Sequence, residues 1–180
     1  MTDIQFRFIP HAELTHELQG EIDALDHIAF AGDEGDDDPE FSSIQWATPD
    51  WMVLGFFNEE LVTQLFLPKR EIKVGAEMVW AAGVGGMATH PDYQHKGYGS
   101  ALLAATASFM QDEIRVPFGL LICADETRPF YERARWQFAA DALYFWQEGQ
   151  RRTLKTCVMI LPLEGRAWPT GGIDLCGTPW

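Results

Sequence analysis

One stretch of the sequence limits the possible folds more than any other. Residues 78–89 form a long apolar run, a loop containing Gly97 and Gly99 follows, and an amphipathic helix is predicted over about residues 97–111. Another apolar strand is predicted directly after this helix, at residues 118–123. A strand, a helix and a second strand in this order are typical of an α/β domain, in which helices cover a sheet.

The remaining segments are predicted to extend this sheet. Apolar alternation and short apolar runs predict further strands at residues 4–10, 52–57, 61–67, 138–147 and 154–161. Three- and four-residue spacing predicts further helices at about residues 13–31, 41–46 and 126–135. The length fits one domain over residues 1–180. We therefore expect an α/β fold with a mixed central sheet of about six to seven strands and about four flanking helices.

Charge and cysteine usage exclude several classes of protein. The chain has 27 acidic and 13 basic residues, a formal net charge of −14, which disfavours nucleic acid and anionic membranes as partners. No run of 18 apolar residues and no secretory signal is visible. Cys123, Cys157 and Cys176 lack the spacing of a disulfide framework or a structural zinc site, and the histidines form no HExxH. We expect a cytoplasmic protein that binds no metal. Whether it forms a homodimer is left open by the sequence.

The glycine loop has the features of a phosphate site. Successive backbone N–H groups in such a turn point inward together, and the positive end of the helix dipole adds to them. A side chain at Gly97 or Gly99 would keep a phosphate away from the backbone, which suggests why both are glycine. The alternative is a helix start that contains glycine and binds nothing, and spacing alone leaves both interpretations open.

Three segments resemble motifs of the GNAT N-acetyltransferases. Gln94-His95-Lys96-Gly97-Tyr98-Gly99 matches the family's Q/R-x-x-G-x-G/A loop, and Met87-Ala88-Thr89-His90-Pro91 matches the end of the preceding strand. Downstream, residues 128–136 are similar to the R-x-x-Y-x-x-x-G-F/W segment, with Ala134 or Arg135 in place of the glycine. The resemblance covers roughly residues 4–161. It implies the acyl-CoA N-acyltransferase fold and transfer of an acetyl group from acetyl-CoA to an amine.

The resemblance also assigns roles to individual residues. Pantetheine would pair with the backbone of Met87 and Thr89. Tyr131 would protonate the leaving thiolate, although a core aromatic beside Phe130 and Trp136 is the alternative. Some members carry a glutamate that activates the amine, but its place here corresponds to Gly85, so no general base is identified. The pyrophosphate loop would comprise Gln94, His95, Lys96, Gly97, Tyr98, Gly99 and Ser100.

Two short segments are similar to the aminoglycoside 2′-N-acetyltransferases. These are Ala29-Phe30-Ala31-Gly32-Asp33 and the last residues, which end in Trp180. The similarity implies that Asp33 and the carboxylate of Trp180 bind a small cationic amine, with a tail from about residue 162 folding over the acceptor side. Basic Arg151, Arg152 and Lys155 and neutral Thr178 depart from the pattern. Another amino sugar, a small metabolite or a peptide amine therefore remains an alternative, as does a solvated charge run at Asp33.

Two other classes of function are also compatible with the sequence. Cys123 could act as an acyl-carrying nucleophile, although a buried strand cysteine is the simpler interpretation. The fold could also serve as a non-catalytic acyl-CoA sensor or a cation-binding module, because fold alone does not determine function.

Overall fold

The computed structural model describes residues 4–31 and 42–180, which form one mixed sheet with three α-helices. The helices are α1 (His16–Ala29), α2 (Tyr98–Phe109, continued by a π-helical turn to Ile114) and α3 (Arg128–Arg133). The strands are β1 (Gln5–Pro10), β2 (Trp51–Phe57), β3 (Glu60–Leu67), β4 (Lys69–Val74), β5 (Glu77–Thr89), β6 (Phe118–Cys123), β7 (Gln137–Ala139), β8 (Leu143–Gln147), β9 (Gln150–Leu154), β10 (Cys157–Pro162) and β11 (Ile173–Asp174). The predicted α/β fold with a mixed sheet is confirmed.

The structure divides two of the predicted strands. Residues 138–147 belong to β7, which pairs with β10, and to β8, which pairs with β9 and β11. The predicted strand at 154–161 is likewise divided between the end of β9 and β10. Each division occurs where the chain moves from one part of the sheet to another, and the run of apolar residues does not show this change.

The helix predicted over residues 41–46 is wrong from Ile44 onward, whereas Ser42 is helical and Phe41 lies outside the described residues. Residues 44–49 have no regular secondary structure, although Ile44 and Ala47 are buried at helical spacing. Gln147 of β8 holds this segment instead. Its amide nitrogen donates to the Ser43 carbonyl (2.9 Å), and its amide oxygen accepts from the Gln45 N–H (2.9 Å).

The helices cover opposite faces of the sheet. The N-cap residue of α1, Thr15, accepts a hydrogen bond from the N–H of Leu18 (3.2 Å). The apolar side of α1 packs on alternate residues of β2, namely Met52, Leu54 and Phe56. The intervening Val53 packs in the same cluster as Leu102 and Leu103 of α2. Because successive strand residues point to opposite faces, α1 and α2 lie on opposite sides. None of the helices in the described ranges is both long and apolar enough to cross a membrane.

Strand β5 changes its partners halfway along its length. Its first half pairs antiparallel with β4, and Ala81–Val84 pair parallel with β6. Its last residues pair antiparallel with β3, with a register shift opposite Gly85–Ala88. Gly86 has a φ of +56°, and a Cβ at Gly85 or Gly86 would lie 2.4 or 2.8 Å from the ring of Phe66. Glycine is therefore required at this bulge.

The C-terminal tail packs against the centre of the sheet. The ring of Trp180 is 2% exposed, and its indole N–H donates to the Leu120 carbonyl (3.0 Å). A Cβ at Gly83 would lie 2.2 Å from the indole nitrogen, so glycine provides the space for this ring. The guanidinium of Arg70 donates to the carbonyls of Leu175 (3.2 Å) and Thr178 (2.7 Å).

Candidate active site

A gap opens between β5 and β6 where their pairing ends at Val84 and Leu121. The N–H of His90 donates to the Val62 carbonyl (2.9 Å), which continues the antiparallel register of Thr63 with Thr89 and of Gln64 with Ala88. Backbone groups alternate in direction along a strand, so those of Thr89 and Met87 face away from β3. No strand of the described chain pairs with this edge of β5 beyond Val84. The edge therefore offers backbone donors and acceptors to a ligand, and the Thr89 carbonyl already accepts from the Gln94 side chain (3.2 Å).

The loop after β5 leads into the N-terminus of α2. Its residues His95 and Gly97 have left-handed backbones, with φ of +60° and +85°. The first intrahelical bond runs from the N–H of Ala101 to the Gly97 carbonyl, and no side chain in the described ranges caps the helix. The N–H groups of the first turn of α2 are thus available to an anion. A Cβ at Gly97 would meet nothing within 4 Å, so the loop is open to a diphosphate.

The two glycines of the loop have different roles. Gly97 has a positive φ, which side chains rarely adopt, and faces open space. A Cβ at Gly99 would lie 3.2 Å from Met87 Cε and 3.3 Å from Thr89 Oγ1. Gly99 therefore lets α2 lie close to β5, and the expectation that both glycines clear room for a phosphate stays a prediction for this position.

A cavity of about 570 Å³ lies beside this loop and the end of β5. It brings together nine of the predicted site residues: Met87, Thr89, Gln94, His95, Gly97, Tyr98, Gly99, Ser100 and Tyr131. Lys96 is not in its lining, and its ammonium lies 4.8 Å from the ring centroid of Tyr93. We refer to this space as the loop cavity.

Tyr131 is held in the loop cavity by α3. Its hydroxyl lies 3.8 Å from Met87 Sδ on β5. Its ring makes edge contacts with Phe130 and Trp136, at centroid distances of 5.1 and 6.4 Å, so the residue is also part of the core. Burial, with a smaller contribution from Cys123, raises the pKa of Tyr131 to about 12. The phenol is thus protonated at neutral pH and can donate a hydrogen bond.

A second cavity, of about 1240 Å³, lies on the α1 side of the same gap. Gly85 and Gly86 line it, whereas the next residues of β5 line the loop cavity. Cys123, the last residue of β6, and the next two residues line the second cavity, whereas Thr127 and Tyr131 line the loop cavity. The two spaces therefore meet the gap from opposite faces of the sheet. We refer to the second space as the aromatic cavity, because its walls include Phe30, Trp46, Phe66, Phe138 and Trp180.

The aromatic cavity contains a carboxylate that the sequence analysis missed. Asp26 of α1 accepts a hydrogen bond from the side-chain nitrogen of Gln64 on β3 (2.7 Å). Burial raises the pKa of Asp26; the Gln64 hydrogen bond opposes the shift, and Asp23 adds to it. The sequence feature that could have identified Asp26 is its spacing. Asp26 lies one helical turn after the buried Ile22, on the apolar side of α1.

The predicted acceptor residues differ in how the structure places them. Asp33 lies outside the described residues. Trp180 lines the aromatic cavity with its indole docked on Leu120. Arg151 and Arg152 pair with Asp174 (2.8 Å) and Glu148 (3.4 Å), whereas Lys155 lines the aromatic cavity.

Cys123 also lines the aromatic cavity. Burial raises the pKa of Cys123 to about 11, with Thr127 opposing the shift and Cys157 adding to it. The thiol is therefore protonated near neutral pH, which disfavours the nucleophile alternative. Within residues 4–31 and 42–180, no three His, Cys, Asp or Glu side chains are grouped to hold a metal ion.

Comparison with known proteins gives one family and a set of structural neighbours. The family model for an acetyltransferase (GNAT) domain matches residues 14–139. Crystal structures of the Escherichia coli proteins ElaA and YhbS, the latter a GNAT N-acetyltransferase in complex with CoA, align with TM-scores of 0.62 and 0.64 at 15% and 16% identity. ElaA aligns over 88% of this chain and 99% of its own, and YhbS over 98% and 91%.

A third neighbour is the catalytic domain of the Tetrahymena GCN5 histone acetyltransferase in complex with coenzyme A. It aligns with a TM-score of 0.61 and 12% identity over 91% of this chain and 95% of that one. Similarity at these identities is evidence of a shared fold. No curated protein sequence matches the chain.

Proposed function

The chain belongs to the GNAT acetyltransferase family, and from this membership we propose that it transfers the acetyl group of acetyl-CoA directly to a primary amine. The family match confirms the resemblance predicted from the glycine loop. The observation that carries the proposal is the position of two cavities on opposite faces of the sheet, both meeting the gap between β5 and β6. One substrate can enter from each side, with the reacting atoms meeting in the gap.

The loop cavity fits the acetyl-CoA side of this proposal. The diphosphate would accept from the first-turn N–H groups of α2 and from the loop residues before it. The amide groups of the pantetheine arm would pair with the backbone of Met87 and Thr89, as an added strand pairs with a sheet edge. Both interactions use the backbone, and they direct the thioester toward the gap.

The chemistry requires orientation and one hydrogen-bond donor from the protein. The amine nitrogen attacks the thioester carbonyl, the new C–N bond forms, and the C–S bond breaks with the electron pair going to sulfur. Tyr131, protonated at neutral pH, donates a hydrogen bond to the departing sulfur. Full proton transfer from a phenol of pKa about 12 to a thiolate, whose thiol pKa is about 8.5, is uphill. The CoA thiolate is therefore neutralised by the proton that the attacking amine nitrogen loses.

The acceptor enters from the α1 side in this proposal. A small-molecule primary amine is the general class, and an aminoglycoside is the narrower candidate that the similarity at Asp33 and Trp180 suggests. The acidic balance of the chain favours a cationic acceptor over nucleic acid or a membrane surface. A cytoplasmic location and a homodimer remain predictions, of which size-exclusion chromatography tests the second.

A thiol-release assay tests the function. The purified chain is mixed with acetyl-CoA and a panel of primary amines, and free CoA thiol is measured together with the acetylated amine. We expect equal amounts of the two products and no release without an amine. If calorimetry shows acetyl-CoA binding while no amine gives turnover, the non-catalytic acyl-CoA module replaces the enzyme.

A further inference from the structure

We propose that Asp26 binds the acceptor amine as its ammonium, before one proton leaves to solvent and the neutral nitrogen attacks, and that this acceptor has an apolar, preferably aromatic, body. The proposal rests on the proposed function and specifies the substrate class of the same site. It assigns the head of the amine to the carboxylate on α1 and its body to the walls of the aromatic cavity.

The walls of the aromatic cavity are the first observation. Five aromatic side chains and Ile122 surround a volume of about 1240 Å³, which is enough for a small aromatic molecule. Phe30 is 44% exposed, and Trp46 and Phe138 are exposed to a similar degree. A group of exposed aromatics inside a concave surface indicates a site for an apolar ligand.

Charge is the second observation. The side-chain carboxylates of the described lining residues are Asp26 and Asp125, Trp180 carries the terminal carboxylate, and Lys155 contributes an ammonium. The acidic groups of the described lining therefore outnumber its one ammonium, with His27 as the other basic side chain. A cationic acceptor matches this balance.

The support of Asp26 by Gln64 is the third observation. Gln64 is 1% exposed, and its amide nitrogen donates to Asp26 Oδ1 (2.7 Å) and to the Ile22 carbonyl (3.3 Å). Because both acceptors lie next to the amide nitrogen, the orientation of the Gln64 amide is fixed. The carboxylate of Asp26 is thereby held in place, and its second oxygen is available to a donor.

Gln64 also leaves an acceptor without a partner. Its amide oxygen is buried and has no hydrogen-bond partner among the described residues. Buried polar groups are normally satisfied, so an exception needs an explanation. Gln64 itself does not line the aromatic cavity, so the carboxylate of Asp26 is the acceptor of this pair that an ammonium group can reach.

Kinetics with paired variants test the role of Asp26. Asp26→Asn keeps an oxygen for Gln64 and removes the charge, and Asp23→Asn removes a charge from the exposed side of the same helix. For 2-phenylethylamine, we expect KM to rise at least about tenfold in Asp26→Asn and to stay within about twofold in Asp23→Asn. KM for acetyl-CoA should not change in either variant. Equal effects of the two substitutions would overturn the assignment.

A second pair tests the apolar body. Phe30 and Ile28 are 44% and 43% exposed near the end of α1, and only Phe30 lines the aromatic cavity. Phe30→Ala should raise KM for 2-phenylethylamine about fivefold and leave KM for ethylamine unchanged, and Ile28→Ala should change neither. A wild-type preference for kanamycin or spermidine over 2-phenylethylamine would refute the substrate class.

Failure of the proposed function can be distinguished from failure of this proposal. If the wild-type chain releases no CoA with any amine, the proposed function fails. The proposal for Asp26 is then decided by calorimetric titration of 2-phenylethylamine into the wild type, Asp26→Asn and Asp23→Asn. Loss of binding in Asp26→Asn alone supports it, and no binding, or equal binding, in all three refutes it.

Discussion

The two cavities that meet at the gap are built from different parts of the chain. The loop cavity draws mainly on backbone groups of a continuous stretch, from the end of β5 to the first turn of α2. The aromatic cavity is lined by side chains from α1, β3, β6, β7, β10 and the tail. Backbone recognition leaves a local signature of glycine spacing, whereas recognition by side chains depends on tertiary contacts. A sequence therefore indicates the first kind of site more readily than the second.

The largest expected effect comes from charging the loop cavity. Gly97→Glu should lower acetyl-CoA affinity more than about 100-fold, because the new carboxylate would repel the diphosphate beside the first turn of α2. Isothermal calorimetry measures this affinity. Gly149→Glu is the matched control, because Gly149 has φ +73°, faces open space and lies outside both cavities. Undiminished affinity in Gly97→Glu would rule out the diphosphate site.

Removing the Tyr131 hydroxyl should affect turnover and leave binding intact. Tyr131→Phe should lower kcat about 100-fold, because the departing sulfur loses its donor while the ring keeps its packing. KM for acetyl-CoA should stay within about twofold. Since burial raises the pKa of Tyr131 to about 12, the pH profile of kcat should show no loss from its titration below about pH 10.

Two control variants isolate the contribution of the Tyr131 hydroxyl. Tyr144→Phe removes a hydroxyl outside both cavities and should not change kcat. Cys123→Ala should leave most of the activity, because the pKa of this thiol is raised to about 11. A folded Cys123→Ala variant without turnover would contradict direct transfer.

A methyl group at Gly83 should disturb the side of the sheet that holds the aromatic cavity. The Cβ of Gly83→Ala would overlap the Trp180 ring, and we expect the free energy of unfolding to fall by about 1–3 kcal/mol. Urea unfolding measures this change. Acetyl-CoA affinity of the folded variant should be close to that of the wild type, whereas its affinity for the amine should fall. Parallel loss of both affinities would mean that the two cavities are not independent.

The smallest expected effect concerns stability and pH. The pKa of Asp26 is raised in the folded chain, so the folded state binds more protons, and its stability falls as pH rises from 3.8 through the raised value. Asp26→Asn should therefore raise the free energy of unfolding at pH 7 by less than about 1 kcal/mol, and should not change it at pH 3. Urea unfolding of Asp26→Asn and Asp23→Asn at both pH values checks the sign. Destabilisation of Asp26→Asn at pH 7 would indicate that the ionised carboxylate supports the fold.

The predictable part of the fold is its centre. Strong apolar patterns identified the segments of β5, α2 and β6, because these are buried on the sheet. Strand β4 was missed because only Ile72 and Val74 of its six residues are buried and charged residues surround them. A helix was predicted over residues 41–46, but Ser43 and Gln45 form hydrogen bonds with Gln147, about 100 residues away, and residues 44–46 are not helical.

The same contrast applies to the candidate site. Residues 94–100 and Tyr131 were identified from short motifs, and the structure brings them together, apart from Lys96. The Asp26–Gln64 contact joins residues 38 positions apart, so no local pattern could reveal it. The different roles of Gly97 and Gly99 also depend on packing, since Met87 and Thr89 are the neighbours of only the second.

The bulge on β5 also restricts how the sequence can change. The ring of Phe66 occupies the space that a side chain at Gly85 would need. By its resemblance to the family, position 85 is the expected place of the glutamate that some members carry, and a side chain there would overlap the ring of Phe66. A smaller residue at 66 would first leave a void in the wall of the aromatic cavity, since no side chain at 85 would yet fill it. An ancestor or descendant with a glutamate here must therefore change both positions, through an intermediate that is either overpacked or underpacked.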